Sequence, residues 1–344
     1  MDSLTQFVLG AGVGELTAGK KLGWKAQLIG GLAGTIPDLD VFASSFINGD
    51  ELTSLRTHRA YSHALFVHLF LAIPFAYLFY RLFKRKLSFT RWYLLFFLGF
   101  ATHTLLDCCT TYGTQLLLPF THGLIAFNNI AVIDPLYTLP FMFLLIACLC
   151  FRKESKTRRV IAIMAFVVSC GYLSLATFNK YLAHQSFKKA LAKEHIQYTH
   201  LSTSPTMFNA LLWAGIAYND SVIYCGEQSV FRLDDDIKLY AFKRNLDLEK
   251  QYASEKFNTL KWFSNGYYFL QMNENDTLDF YNIKWGRTDL SQQDNADAAN
   301  SFRFYTKLYK DEQGNVKASF VRPPRTMKDI KQFLSVIYSK IFEK

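Results

Sequence analysis

Hydrophobic and polar positions follow two regimes along this chain. Apolar residues run almost unbroken from Ser62 to Phe83, from Trp92 to about Tyr112, from Val132 to Phe151 and from Val160 to Phe178. About 20 such residues cross about 30 Å of hydrocarbon, so the pattern predicts four long membrane spans. Before them, "LTQFVLGAGVGELTAG" and "KAQLIGGLAGTIPDL" are shorter, rich in Gly and Ala, and interrupted by Gln6, Glu15 and Pro37. They predict two short helices whose glycines permit close approach in lipid, with a re-entrant pair as the alternative. Asp2 in place of a basic leader, and Lys20 and Lys21 after the apolar run, argue against a signal peptide.

After Asn179 the pattern turns to alternation. "LLWAGIAYNDSVIYCGEQSV", "YYFLQMNENDTLDFYNIKWG" and "FRFYTKLYKDEQGNVKASFV" each alternate about a turn, which predicts antiparallel hairpins. A helix is expected around "EKQYASEKFNTLKWF", and "TMKDIKQFLSVIYSKIFEK" has a helical period. The expected class is a polytopic α-helical membrane region followed by a soluble α+β domain. The expected division is residues 1–179, a juxtamembrane amphipathic helix over 180–200, and an extracytoplasmic domain over 201–344.

Composition adds the orientation. The mean hydropathy of +0.06 averages the two regimes, and the net charge of +10 is unevenly placed. Lys20, Lys21 and Lys25, then Arg81, Lys84, Arg85, Lys86 and Arg91, then Arg152, Lys153, Lys156, Arg158 and Arg159 occupy three loops on one side, which the positive-inside rule makes cytoplasmic. Lys180, Lys188, Lys189 and Lys193 disagree, and an amphipathic helix on lipid headgroups accounts for them. The basic residues of the second half are scattered among acids, so nucleic-acid binding is unsupported. Of six cysteines only Cys225 lies beyond the spans, which leaves that domain no internal disulfide.

This topology gathers Asp2, Asp38, Asp40, His58, His63, His103, Asp107 and Asp134 at the outer face. His103 and Asp107, at i and i+4, share a helix face and suit two ligands of one metal or a ligand and its partner. His58 and His63 lie about 140° apart on a continuous helix, so both face one point only if a helix starts between them, with Ser62 as its N-cap. In "PDLD" the proline breaks the helix and lets Asp38 and Asp40 present together. A histidine and carboxylate set without thiolate favours zinc, manganese or iron. Such groups within a membrane mark a functional site. Asp134, before a proline, suits a helix cap as well as a catalytic carboxylate. Arg59 reads as a counter-ion for the acids, or as a phosphate-binding group on a substrate. His68, pointing down a span without an acidic partner, reads as a helix contact and no part of the metal site.

"MDSLTQFVLGAGVGE", "GTIPDLD", "HRAYSH", "THTLLDCCTTYGTQLLLPF" and "VIDPLYTLP" together resemble the YdjM-like family of bacterial inner-membrane, predicted metal-dependent hydrolases, over roughly residues 1 to 140. The chain is more distantly similar to zinc-dependent phospholipase C. Family members commonly read HR-x-x-[ST]-H-S; here alanine follows the last histidine, and Gln6 stands where many relatives have histidine. The resemblance implies a divalent-metal hydrolase with Asp38, Asp40, His58, His63, His103 and Asp107 at the recurrent polar positions. Zinc is the expected metal, with Asp40 or Asp134 as general base. A recess opening to the outer leaflet implies membrane lipid as a partner and a lipid phosphoester or similar amphiphile as substrate. Two other classes remain: an envelope protein with a structural metal and a partner-binding outer domain, and an ion- or proton-coupled transporter. The transporter requires polar groups through the whole depth, whereas the inner half of the spans reads as apolar.

Overall fold

Asp2 caps the first helix, its carboxylate accepting from the Thr5 amide at 3.0 Å, and starts α1 (Ser3–Leu22). Gly23, at φ 63°, ends it in a backbone region that favours glycine and turns the chain into α2 (Trp24–Thr35). The two helices touch backbone to backbone. A Cβ on Gly14 would stand 2.0 Å from the Ala26 carbonyl oxygen, and one on Gly34 would stand 2.5 Å from that of Gln6. Glycine is therefore required along this seam, as close approach of small residues in lipid predicts.

The computed structural model describes residues 1–41, 51–273, 276–287, 290, 302, 304–322 and 326–343. It divides into two units, Met1–Ala176 with Met207–Asn209 and Thr177–Thr206 with Ala210–Lys344. In the first, α2 runs into a 3-10 turn over Ile36–Leu39, where Pro37 removes a helical donor. Then come α3 (Glu51–Thr57), a second 3-10 turn over Tyr61–His63, α4 (Leu65–Leu82), α5 (Phe89–Cys108), α6 (Pro135–Leu149) and α7 (Lys156–Lys193). Ala26, Ala33, Ala72 and Ala76 leave room for Trp92, Phe96 and Phe100 in one buried cluster. This cluster ties α1, α2, α4 and α5 together. Across α1 and α7 the buried Arg158 grips Glu15 through Nε at 2.6 Å and Nη2 at 2.7 Å, and Gln27 donates to the same carboxylate at 2.9 Å.

Among the described residues two helices, α4 and α7, are long and apolar enough to cross a membrane, where four were expected. The reasons differ for the other two. α6 starts only at Pro135, after its Asp134 cap, and its 15 residues span about 22 Å. α5 has 20 residues, but Arg91, Thr102, His103, Thr104 and Asp107 lower its hydropathy. The separate helix expected over 180–200 is the C-terminal part of α7, which runs unbroken to Lys193 and is followed by a strand from His200.

The second unit contains two antiparallel four-stranded sheets in chain order. The first is β1 (His200–Pro205), β2 (Leu212–Tyr218), β3 (Val222–Ser229) and β4 (Tyr240–Lys243). The second is β5 (Tyr268–Met272), β6 (Leu278–Asn282), β7 (Tyr305–Lys310) and β8 (Val316–Val321). The three expected hairpins are β2–β3, closed about Asn219 and Asp220, β5–β6, and β7–β8. In the "NEND" turn of the second, Glu274 and Asn275 lie outside the described residues. α8 (Glu255–Ser264) connects the sheets, and α9 (Met327–Phe342) starts in a capping box between Thr326 and Asp329. Ile216, Ile223 and Phe242 of the first sheet share a core with Phe269 and Tyr281 of the second. Buried Glu227 accepts from Arg287 at 2.9 and 2.7 Å and from Lys340 at 3.2 Å. Burial by itself would raise its carboxyl, but the two cations outweigh that and hold it below the usual range.

Candidate metal centre

Four side chains from three segments converge in the first unit. Asp38 comes from the 3-10 turn after α2, His63 from the 3-10 turn before α4, and His103 and Asp107 from one face of α5. One donor atom from each lies within 4.8 Å of every other. His63 Nε2 is 3.1 Å from His103 Nε2, 3.3 Å from Asp38 Oδ1 and 3.4 Å from Asp107 Oδ2. His103 Nε2 is 3.5 Å from Asp38 Oδ1 and 3.7 Å from Asp107 Oδ2. Donors held about 2.0–2.1 Å from a tetrahedral zinc stand roughly 3.3–3.4 Å from one another. The five separations bracket that value.

Protonation follows from the partners. His103 Nδ1 lies 2.6 Å from the Gly34 carbonyl oxygen, which can only accept, so Nδ1 carries the proton. The Gly34 seam thus sets the tautomer of His103. Ser62 Oγ donates to Asp40 Oδ2 at 2.6 Å and is left to accept from His63 Nδ1 at 2.9 Å. With a metal bound both imidazoles would be neutral, each turning a bare Nε2 toward the same point. The two carboxylate oxygens there, Asp38 Oδ1 and Asp107 Oδ2, are buried without a hydrogen-bond partner among the described residues. Four electron-rich atoms facing one another in a desolvated place fit a cation. The side chains of His63, His103 and Asp107 are fully buried, and that of Asp38 is 24% exposed.

Behind the donors, Gln6 Nε2 donates to Asp107 Oδ1 at 2.9 Å and to the His103 carbonyl at 3.2 Å. The residue that stands in place of a histidine thus holds a ligand by hydrogen bonding. Arg59, with φ 59°, places Nε 3.0 Å from Asp107 Oδ2 without hydrogen-bond alignment, and Nη1 donates to Thr110 at 3.3 Å. Its position is that of a buried counter-ion.

His58 and Asp40 lie beside the cluster and not in it. His58 Nδ1 is 2.8 Å from Asp40 Oδ1, and Asp40 Oδ2 accepts from the Arg59 amide at 3.0 Å as well as from Ser62. Burial would raise the Asp40 carboxyl, but bonding to His58, His63 and Ser62 outweighs it and keeps the group ionised. The helix start expected between the two histidines is displaced: α4 begins at Leu65 with Ala64 at its cap, and Ser62 bridges His63 to Asp40. Asp134, a catalytic candidate in the sequence, lies outside the group of four donors and sits at a helix start. Its Oδ1 caps α6 at Leu136 and Tyr137, and its Oδ2 accepts from Tyr172 at 2.7 Å. Sequence reasoning read Ser62 as a helix cap and missed its bridge from His63 to Asp40.

Taken together, a helical unit with apolar spans and a buried His and Asp cluster, followed by an antiparallel β-rich unit, defines a membrane protein with a candidate metal centre. The chain belongs to the YdjM inner membrane protein family, whose model matches residues 1–183. All four donors fall within the match. No curated protein and no solved structure gives a significant match.

Proposed function

We propose that the protein is a multi-pass inner-membrane hydrolase that uses a divalent metal, zinc by preference, on a phosphoester of a lipid or similar amphiphile. The observation that carries this reading is the set of four donor atoms within 4.8 Å of one another, five of whose separations bracket the spacing around a tetrahedral ion. A cation held there supplies Lewis acidity and makes hydroxide available near neutral pH. The other roles belong to the chain. Asp38, His63, His103 and Asp107 are the holding residues, fixed from behind by Ser62, Gly34 and Gln6. Asp40 is already occupied as an acceptor, so the base role expected of it passes to His58, whose Nε2 makes no hydrogen bond among the described residues. Arg59 offsets the negative charge of the site. The three basic loops support an arrangement with the site and the β-rich unit outside the cytoplasm.

A second reading, a structural metal in a non-catalytic envelope protein, is favoured by the burial of three of the four donors, since closed four-ligand sites are typically structural. One experiment separates the two. Detergent-purified protein is assayed for bound metal and for hydrolysis of bis-p-nitrophenyl phosphate and of phospholipid in vesicles. Metal with metal-dependent hydrolysis supports the enzyme; metal without it, across both substrates, supports the structural role; no metal overturns both.

A further inference from the structure

His68 has no place in the donor set, yet its contacts lead directly into it. It lies in the first turn of α4, fully buried, with its ring 5.6 Å from that of Phe100. Its Nε2 is 2.8 Å from the Ser62 carbonyl oxygen. A carbonyl only accepts, so Nε2 is the protonated nitrogen and Nδ1 is bare. That Nδ1 is buried with no hydrogen-bond partner among the described residues. An imidazole with one unsatisfied nitrogen in an apolar helix is a poor packing choice, because a leucine would fill the space without a buried polar atom. The other nitrogen accounts for its use.

Ser62 occupies a break in the backbone. It lies within the 3-10 turn Tyr61–His63, and α4 begins only at Leu65. The turn is closed by the His63 amide on the Ala60 carbonyl and by the Ala64 amide on the Tyr61 carbonyl, so neither bond uses the Ser62 carbonyl. Irregular backbone near hydrocarbon depth needs an internal partner for each such group. His68 supplies it. The same Ser62 accepts from His63 Nδ1 and donates a hydrogen bond to Asp40. A shift of Ser62 thus moves the Nε2 donor of His63 and the carboxylate that orients His58.

We infer that His68 is a positioning residue of the metal centre, acting through the Ser62 carbonyl to fix the tautomer and direction of His63. The inference rests on the metal reading above. It predicts that removing the N–H donor weakens metal binding by about 10- to 100-fold, the usual effect of losing a partner behind a ligand.

The test compares wild type, His68→Leu and His68→Gln as full-length protein in detergent. Zinc affinity is measured by chelator competition, and the visible spectrum of the cobalt-loaded protein reports ligand geometry. The metal-free melting temperature monitors the fold. His68→Leu keeps the packing against Phe100 and loses the donor, so affinity falls and the cobalt bands change while metal-free melting moves little. His68→Gln keeps an N–H within reach of the carbonyl and restores at least part of the affinity. Equal affinity and spectra in wild type and His68→Leu overturn the inference alone. Affinity lost equally in both variants makes the imidazole's shape and not its donor the cause, and overturns it too. Wild type that binds neither metal overturns the metal reading and this inference with it. If His68→Leu fails to fold, His68→Met, which also lacks the donor, takes its place and is judged by the same outcomes.

Discussion

His63 and His103 are 40 residues apart in the chain, and their Nε2 atoms stand 3.1 Å apart, each ring directing its Nδ1–H to a partner on its other side. Arg59 offsets part of the charge of Asp38 and Asp107, and a bound cation would offset more of it while taking up both Nε2 lone pairs. Freshly purified protein should therefore hold close to one metal equivalent, and His103→Ala or Asp107→Ala should reduce it to near zero by elemental analysis. Saturating metal at about 1,000 times Kd contributes about 4 kcal/mol of stability by linkage, visible as a fall in Tm on chelation. Chelation that leaves the Tm of wild type unchanged counts against the site.

Asp107→Ala should also lower the stability of the metal-free protein, because Arg59 would remain buried beside a missing partner. Breaking a buried pair in this way costs about 3–5 kcal/mol. Asp107→Ala combined with Arg59→Met should recover part of that stability in thermal melting without recovering metal.

Asp134→Ala should act on the fold alone. The loss of a helix cap costs about 1 kcal/mol and that of the Tyr172 hydrogen bond about 0.5–1.5 kcal/mol, so Tm should fall. Metal content should be unchanged. A parallel loss of metal would return Asp134 to the site.

In the β-rich unit, Glu227 predicts an acid limb. Its carboxyl is held below the usual range by Arg287 and Lys340 against the opposing effect of burial. The stabilisation is thus fully present above the unfolded value near 4.5 and is lost as pH falls through the depressed folded value. Full-length Glu227→Gln should be less stable than wild type at neutral pH, and its stability should fall less steeply below about pH 4.5, as followed by tryptophan fluorescence. Parallel acid transitions in the two proteins would assign the limb to other groups.

Topology has a direct readout. With Cys150 and Cys170 replaced by serine, Gln313→Cys in the exposed β7–β8 turn should react in intact cells with a thiol reagent that does not cross the membrane. Glu154→Cys in the basic loop before α7 should react only after permeabilisation. The reverse pattern would place the β-rich unit in the cytoplasm.

What the sequence disclosed depended on how local the cause was. The His103 and Asp107 pair was legible because an i, i+4 spacing fixes a shared helix face. The hairpins were legible from alternation and turn residues. His63 could not be told from His58, because the choice rests on a 3-10 turn and on Arg59 at positive φ, which no periodicity encodes. The span count failed at α6 because an apolar stretch was measured where the Asp134 cap sets the helix start. The Glu15 and Arg158 pair joins residues 143 apart, and neither residue advertises the other. His68 was set aside for lack of an acidic neighbour, whereas its partner is a backbone carbonyl.

The glycine seam between α1 and α2 bears on the order in which the protein is made. Gly34, through its carbonyl, is the acceptor that turns His103, and the four donors all lie between residues 38 and 107. During synthesis the seam and every donor have left the ribosome before the first strand of the β-rich unit is translated. The four donors can thus be brought together once α5 docks on the paired N-terminal helices, and a side chain at position 34 would show as a fault in biogenesis before it showed as a fault in chemistry.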